Sequence, residues 1–386
     1  MLRLLFQRGV TLLLRPAALL AEGFLIPDAN VLVFVLPAAA MALTLSSIPV
    51  HLDFFRMASH ATSTRVERNY ISGLIILSFI SIVLLAGLLF LSKSSLGIGF
   101  AIIATFISEK FADELTRFYE FNKKYSLWFV AQMSRSMWLF IPIGLALAGI
   151  HYIISFCALA SVAAVVLAWR FFSATGLRPV WNRGGFMLIK ANVPFLGSSA
   201  LLACHRQVPR LFVAFLFPQV AHVFQALAQL GQGVSLIFNV RYQIPYRKVI
   251  ARRPLTFERL FRRPFLRIGG LSLVGAALGL IIGDSSYYSI GAFAWVGLGI
   301  AMLADALAFS LLATYLGLMS WFLAPSQALP TLLKMAVFFL VAFFSTYGAW
   351  VFLDGPLVLA PIFTTLLSLG SIALIKGRHL DGKHHA

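Results

Sequence analysis

Apolar residues in this chain fall in long runs separated by short polar connections. Taken in order, the runs predict about twelve membrane spans, at 9–27, 31–50, 71–92, 95–109, 126–148, 151–170, 190–211, 219–240, 266–283, 289–317, 331–353 and 357–375. A span needs about 20 apolar residues, and roughly 32 residues per span leaves room only for short loops. The predicted fold class is therefore an all-α integral membrane protein, with no place for an attached globular enzyme. The first run is the least regular, because Arg15 and Glu22 interrupt it. A basic start followed by an apolar stretch is also the pattern of a cleaved signal peptide. Arg15 in the middle of the apolar region argues for a retained helix instead.

The segment 171–186, FFSATGLRPVWNRGGF, is rich in Gly, Pro and Arg, and it follows six runs and precedes six more. It divides the chain into an N-lobe, 1–175, and a C-lobe, 176–386, which contains a basic loop at 241–265. Two six-helix lobes handling a substrate between them is a common transporter plan. No strong internal repeat is visible, so the division rests on counting runs.

Charge gives the chain an orientation. Basic residues gather after even-numbered spans: Arg56, Arg65 and Arg68; then Lys110, Arg117, Lys123 and Lys124; then Arg170, Arg178, Arg183 and Lys190; then nine from Arg241 to Arg267. Among odd-numbered connections Lys93 stands out as the clear exception. Cytoplasmic loops carry the excess of Lys and Arg, which places both termini in the cytoplasm. Hydrophobic residues make up 60% of the chain and charged residues 11%, against about 25% charged in soluble domains. A net charge of +18 would suggest nucleic acid in a soluble protein. Here it is read as topology plus attraction to anionic lipid, and nucleic acid is not expected as a partner. Cys157 and Cys204 lie in apolar runs, without metal-ligand spacing or a disulfide framework. No metal cluster, phosphate-cradling loop or paired-carboxylate motif is visible, and no cofactor is expected.

Some residues speak to packing. Gly275, Gly279 and Gly283 recur every four positions, which lets helices approach closely. Pro142, Pro194 and Pro209 fall inside spans and free backbone carbonyls there.

Ionisable residues within spans are costly, and they face a cavity or a partner. The set is Arg15, Arg135, Arg206, Arg210 and Asp305, with Glu22, Lys190 and Lys334 nearer the ends. Cations outnumber acids, and Arg135 has no evident intramembrane acid other than Glu22. A guanidinium binds phosphate oxygens through paired hydrogen bonds and stays charged at any cellular pH. Arg135, in AQMSRSMWLF, shares a helical face with Trp138 three residues on. It either lines a cavity or snorkels to the surface, and Arg15 presents the same choice. Arg206 and Arg210, four apart in ACHRQVPRLF, share a face with Pro209 between them. They line a cavity or meet head groups at the outer interface. Asp305, alone in an apolar stretch, is read as a coupling-ion site, an Arg partner or a packing residue, with Glu22 the other acid available for coupling.

After the fourth span comes SEKFADELTRFYEFNKKYSLW. Asp113 to Arg117 and Glu120 to Lys124 are acid-to-base pairs at four-residue spacing. They predict that the span continues as a solvated, salt-bridged cytoplasmic helix. From Tyr242 to Arg267, basic groups alternate with Phe and Leu, as in an interfacial segment held by anionic lipid or docked on a partner.

Three features carry a family resemblance: the six-plus-six order of basic, short-looped spans; the block EKFADELTRFYEFNKKYSLWFVAQMSRSMW at 109–138; and the opening of the second lobe, IKANVPFLGSSALLACHRQVPRLFVAFLFP. Together they resemble the polysaccharide-flippase (O-antigen, Wzx-like) branch of the multidrug/oligosaccharidyl-lipid/polysaccharide exporter superfamily. Where that family's seventh span ends in an Asp-Arg step, this chain has His205-Arg206, without the acid. The resemblance implies transport of an undecaprenyl-pyrophosphate-linked oligosaccharide across the bacterial inner membrane by alternating access. Polysaccharide assembly proteins are the implied partners. Arg15, Arg135, Arg206 and Arg210 would bind the pyrophosphate. A multidrug or cation exporter of the same fold needs cavity acids, and the spans offer only Glu22 and Asp305. An intramembrane glycosyltransferase or ligase needs acidic or His-bearing outer loops, where only the isolated Asp284 and Asp354 occur. The expected protein is a transporter and not an enzyme.

Overall fold

The computed structural model describes residues 2–26, 29–46, 64–91, 95–122, 124–176, 178–231, 257–281, 292–322, 325–352 and 357–376. Among them the fold is all-α. The helices are α1 (Leu2–Leu25), α2 (Val31–Ser46), α3 (Thr64–Leu91), α4 (Leu96–Phe121), α5 (Tyr125–Met137), α6 (Phe140–Leu147), α7 (Tyr152–Thr175), α8 (Arg183–Ala191), α9 (Val193–Leu216), α10 (Phe257–Ile281), α11 (Ala292–Phe322), α12 (Pro325–Phe352) and α13 (Leu359–Lys376). A further helical run occupies 218–231. The basic segment 241–256 lies outside the described residues, as do Arg56, Lys93, Lys123, Gly283, Asp284 and Asp354.

Among the described residues, five stretches are long and apolar enough to cross a membrane: Arg68–Gly87, Tyr125–Leu147, Tyr152–Thr175, Val296–Ala313 and Leu333–Phe352. Val31–Ser46, Pro264–Gly279 and Leu359–Ala373 are shorter apolar helices. Their outward faces are apolar. Phe79, Val83 and Leu84 on α3, Ile154, Val162, Val165 and Trp169 on α7, and Val341 and Phe344 on α12 are all exposed. In water such continuous apolar surface would drive association; against lipid it is the ordinary exterior.

Helix ends follow local chemistry. Ser95 caps α4, its Oγ accepting from the Ile98 N–H at 3.3 Å. Gly176 ends α7 in the left-handed region (φ 68°), donating its N–H to the Phe172 carbonyl, a conformation that suits glycine. The fifth apolar run is broken at Trp138–Leu139 into α5 and α6. Pro142 has no N–H for the carbonyl of Trp138 one turn earlier, and that carbonyl instead accepts from Ile141 at 3.2 Å.

The chain forms two compact units, Met1–Ala226 and Leu227–Ala386. The dividing segment expected at 171–186 falls inside the first, because α8 packs on α3 and α9 packs on α2.

In unit 1, α4 is the central helix and packs on α2, α5 and α7. One apolar cluster joins Leu19, Leu32, Val35, Phe106, Leu139 and Phe156. A second joins Ile71, Leu74, Leu115, Trp128, Leu167 and Phe171. Along α4 the charged residues begin between the two.

In unit 2, α11 packs on α10 and α13, and α12 packs on α13. The expected glycine packing is present. A Cβ on Gly275 would lie 2.7 Å from the Ala301 nitrogen, and one on Gly279 would lie 2.5 Å from a Val358 methyl. On α12, Phe339, Phe343 and Tyr347 stack in sequence, with Phe343 and Tyr347 centroids 4.3 Å apart.

Candidate functional site: a buried charge network on α4

The fourth apolar run does continue as one helix, α4, through its charged segment. The segment is not the solvated cap expected of it. Glu109, Lys110 and Glu114 are buried, because α3, α5 and α7 enclose α4 on successive faces. Of the two predicted i,i+4 pairs, Asp113–Arg117 forms, at 2.6 Å.

Glu109 is the hub. Its side chain is 5% exposed. One carboxylate oxygen accepts from Arg15 Nη2 on α1, and the other accepts from Arg135 Nε on α5. Arg15 also donates from Nε to Ser136 Oγ at 3.4 Å, and Arg135 Nη1 lies 3.7 Å from Asp113 Oδ1. The two arginines highlighted by the sequence therefore meet on one acid, and three helices are tied at a single carboxylate. The expectation that Arg135 lacks an intramembrane acid is corrected: its partner is Glu109, which sequence order had placed at the edge of the span. Their side chains remain 24% (Arg15) and 15% (Arg135) exposed. Each keeps guanidinium N–H groups beyond those that bind Glu109, since arginine has five.

The network extends down α4. Lys110 pairs with Glu114 at 3.0 Å and donates to the Ser46 carbonyl at 3.1 Å, capping the end of α2. Tyr70 on α3 donates its hydroxyl to Glu114. Burial would raise the Glu114 carboxyl, but the charges of Lys110 and Arg117 outweigh it and hold the group below its ordinary value. Arg15, Lys110, Arg117 and Arg135 face Glu109, Asp113 and Glu114, and Glu120 also acts on Arg117.

Trp138 ends α5 and is buried against Phe156, with ring centroids 5.2 Å apart. Its indole N–H has no hydrogen-bond partner among the described residues.

Glu22 stands apart from this network. It is fully buried at the end of α1. Its carboxylate accepts from the backbone N–H groups of Val31 and Leu32 at 3.0 Å, which caps α2. It also meets His222 Nε2 at 3.0 Å, and Tyr152 is buried beside it. His222 had drawn no attention in the sequence: 200 residues separate it from Glu22. Arg206 and Arg210 are carried by α9, and Arg210 is buried. Both have interaction partners of their own, and Glu109 is held by Arg15 and Arg135 rather than by either of them. In unit 2, Asp305 lies in mid-α11, close enough to the buried Tyr347 on α12 to act on it electrostatically. Among the described residues no group of three or more His, Cys, Asp and Glu is placed to hold a metal ion.

Family models, curated proteins and solved structures give no match to this chain.

Proposed function

We propose that this chain is a transporter of the polysaccharide-flippase kind, with about twelve spans, in the bacterial inner membrane. Its substrate is a polyprenyl-pyrophosphate-linked oligosaccharide, undecaprenyl in the bacterial case, which it moves by alternating access without covalent change. The observation that carries the reading is the convergence of Arg15 and Arg135, from different helices, on the buried carboxylate of Glu109.

A carboxylate between two guanidinium groups occupies the geometry that a phosphate would take. Glu109 holds the two cations in register when no ligand is present, and it lowers the cost of keeping them out of water. A pyrophosphate carries more negative charge than one carboxylate. It competes for the unused N–H groups of both arginines and loosens the tie among α1, α4 and α5. Ligand binding is thereby coupled to rearrangement of three helices, which alternating access requires. The two guanidinium groups favour an anion over a cationic drug. Arg206 and Arg210 play a secondary part on α9, and Glu22 with His222, or Asp305, supplies the coupling-ion site.

The test is a reconstituted-vesicle assay with lipid-pyrophosphate-linked oligosaccharide, in which exposure of the sugar to an external glycosidase is followed. Protein-dependent exposure that falls at least tenfold in Arg135→Ala and in Arg15→Ala supports the proposal. Exposure that survives both substitutions removes the site and keeps the transporter. No exposure with several matched glycan lipids removes the flippase reading.

A further inference from the structure

Helix α8 is short and amphipathic in an unusual sense. At helical spacing Arg183, Phe186, Met187 and Lys190 fall on one face (i, i+3, i+4, i+7), and all four are exposed. The opposite face is built for contact with α3. A Cβ on Gly185 would lie 2.7 Å from the Gly73 nitrogen, and one on Gly184 would strike the Asn69 amide. Leu188 and Ile189 pack into the apolar cluster that includes Ile71 and Leu74.

Polar contacts lock the helix in this orientation. Asn182 caps α8 by accepting from the Gly185 N–H at 2.9 Å. It donates its own N–H to Ser72 Oγ at 2.8 Å, and its side-chain amide donates to Asn69 Oδ1 at 3.2 Å. The exposed face is thus fixed by glycine contacts and by a hydrogen-bonded cap.

Trp181, immediately before the cap, is also exposed. Its ring meets Phe186 at 6.0 Å and Phe79 at 6.4 Å, both edge to face. Phe79 lies on the exposed apolar side of the membrane-crossing stretch of α3. One apolar surface therefore runs from α3, through Trp181, onto Phe186 and Met187, and it is bordered by the exposed Arg178, Arg183 and Lys190. Between Glu120 and Glu258 the chain contains no Asp or Glu at all.

We propose that α8 and the Trp181 turn form a prebuilt docking surface for the anionic phospholipid of the bilayer surface. Trp181, Phe186 and Met187 enter the acyl region beside Phe79, and Arg178, Arg183 and Lys190 meet the phosphates. Two features distinguish this surface from a merely basic loop. It is rigid before lipid arrives, so little ordering entropy opposes binding. It also places apolar and cationic groups on one face rather than on two, the arrangement that a lipid–water boundary rewards. The inference is independent of the transport reading.

The test uses the full chain with Cys157→Ala and Cys204→Ala, and with Met187→Cys carrying an environment-sensitive dye. The protein is reconstituted in phosphatidylcholine vesicles with or without phosphatidylglycerol. Expected is a blue-shifted emission with phosphatidylglycerol, and several-fold greater quenching by brominated phosphatidylglycerol than by brominated phosphatidylcholine. Replacing Arg178, Arg183 and Lys190 by Gln should weaken that preference by roughly fivefold per cation. A salt series on the labelled chain without those three substitutions should reduce it in the same direction, and this arm does not depend on the variant folding. Water-like emission in both membranes overturns the proposal, as does a preference indifferent to salt and to the three cations.

Discussion

The interiors of the two units solve the same problem with different materials. On α4 in unit 1, Glu109, Lys110 and Glu114 are buried and held by Arg15, Arg135, Arg117 and Tyr70. On α12 in unit 2, Phe339, Phe343 and Tyr347 stack, and the Tyr347 hydroxyl donates to the Ala360 carbonyl at 3.0 Å. Stacked rings in an apolar surrounding tolerate small losses, since each contact is worth little alone. A buried charge network does not, because removing one member leaves its partners charged and unpaired. A network of that kind, among otherwise apolar helices, is a costly way to gain stability.

The contrast is broken most severely by Glu109→Gln. Two part-buried arginines lose their shared buried counter-charge, at up to about 3–5 kcal/mol, and the unfolding temperature in detergent should fall sharply. Glu109→Gln combined with Arg135→Gln should recover part of that loss, whereas a purely additive result would deny the coupling. An intermediate effect is expected from Gly275→Ala in unit 2. Its new Cβ meets the Ala301 backbone, and overpacking of this type costs about 1–3 kcal/mol; calorimetry of the purified protein would read it. The smallest effect should follow Tyr347→Phe, which keeps the stack and deletes one hydrogen bond between helices, worth about 0.6 kcal/mol in membrane proteins. If Tyr347→Phe destabilised the chain as much as Glu109→Gln, the distinction between the two interiors would fail.

The all-α class and the approximate position of most described helices were legible in the sequence, as was the choice of Arg15 and Arg135 as charges that need a partner. Apolar runs report helices directly, and a guanidinium inside one is conspicuous. Asp113–Arg117 was legible because its two members lie one helical turn apart. Glu109 was not read as the partner of the arginines, because it stands where the fourth run turns polar and so resembles the start of a solvated loop. Only the packing of α3, α5 and α7 around α4, with α1 set against α5, converts that edge into an interior. The capping of α2 by Glu22, and its pairing with His222, depend on segments far apart in the chain and leave no local trace. Gly275 and Gly279 gave a packing signal that needed no knowledge of the partner, since a missing side chain implies a close neighbour whatever it is.

The knot at Glu109 also has a history in time. Arg15 is made 94 residues before the acid that neutralises it. At a synthesis rate of about 5–20 residues per second, the ribosome needs roughly 5–20 s to bridge that interval. During those seconds α1 carries a charge costing about 2.5–3.5 kcal/mol at the centre of a lone helix. Under that cost α1 is expected to settle fully only once α4 and α5 have been made, which pulse-labelling of its insertion would read.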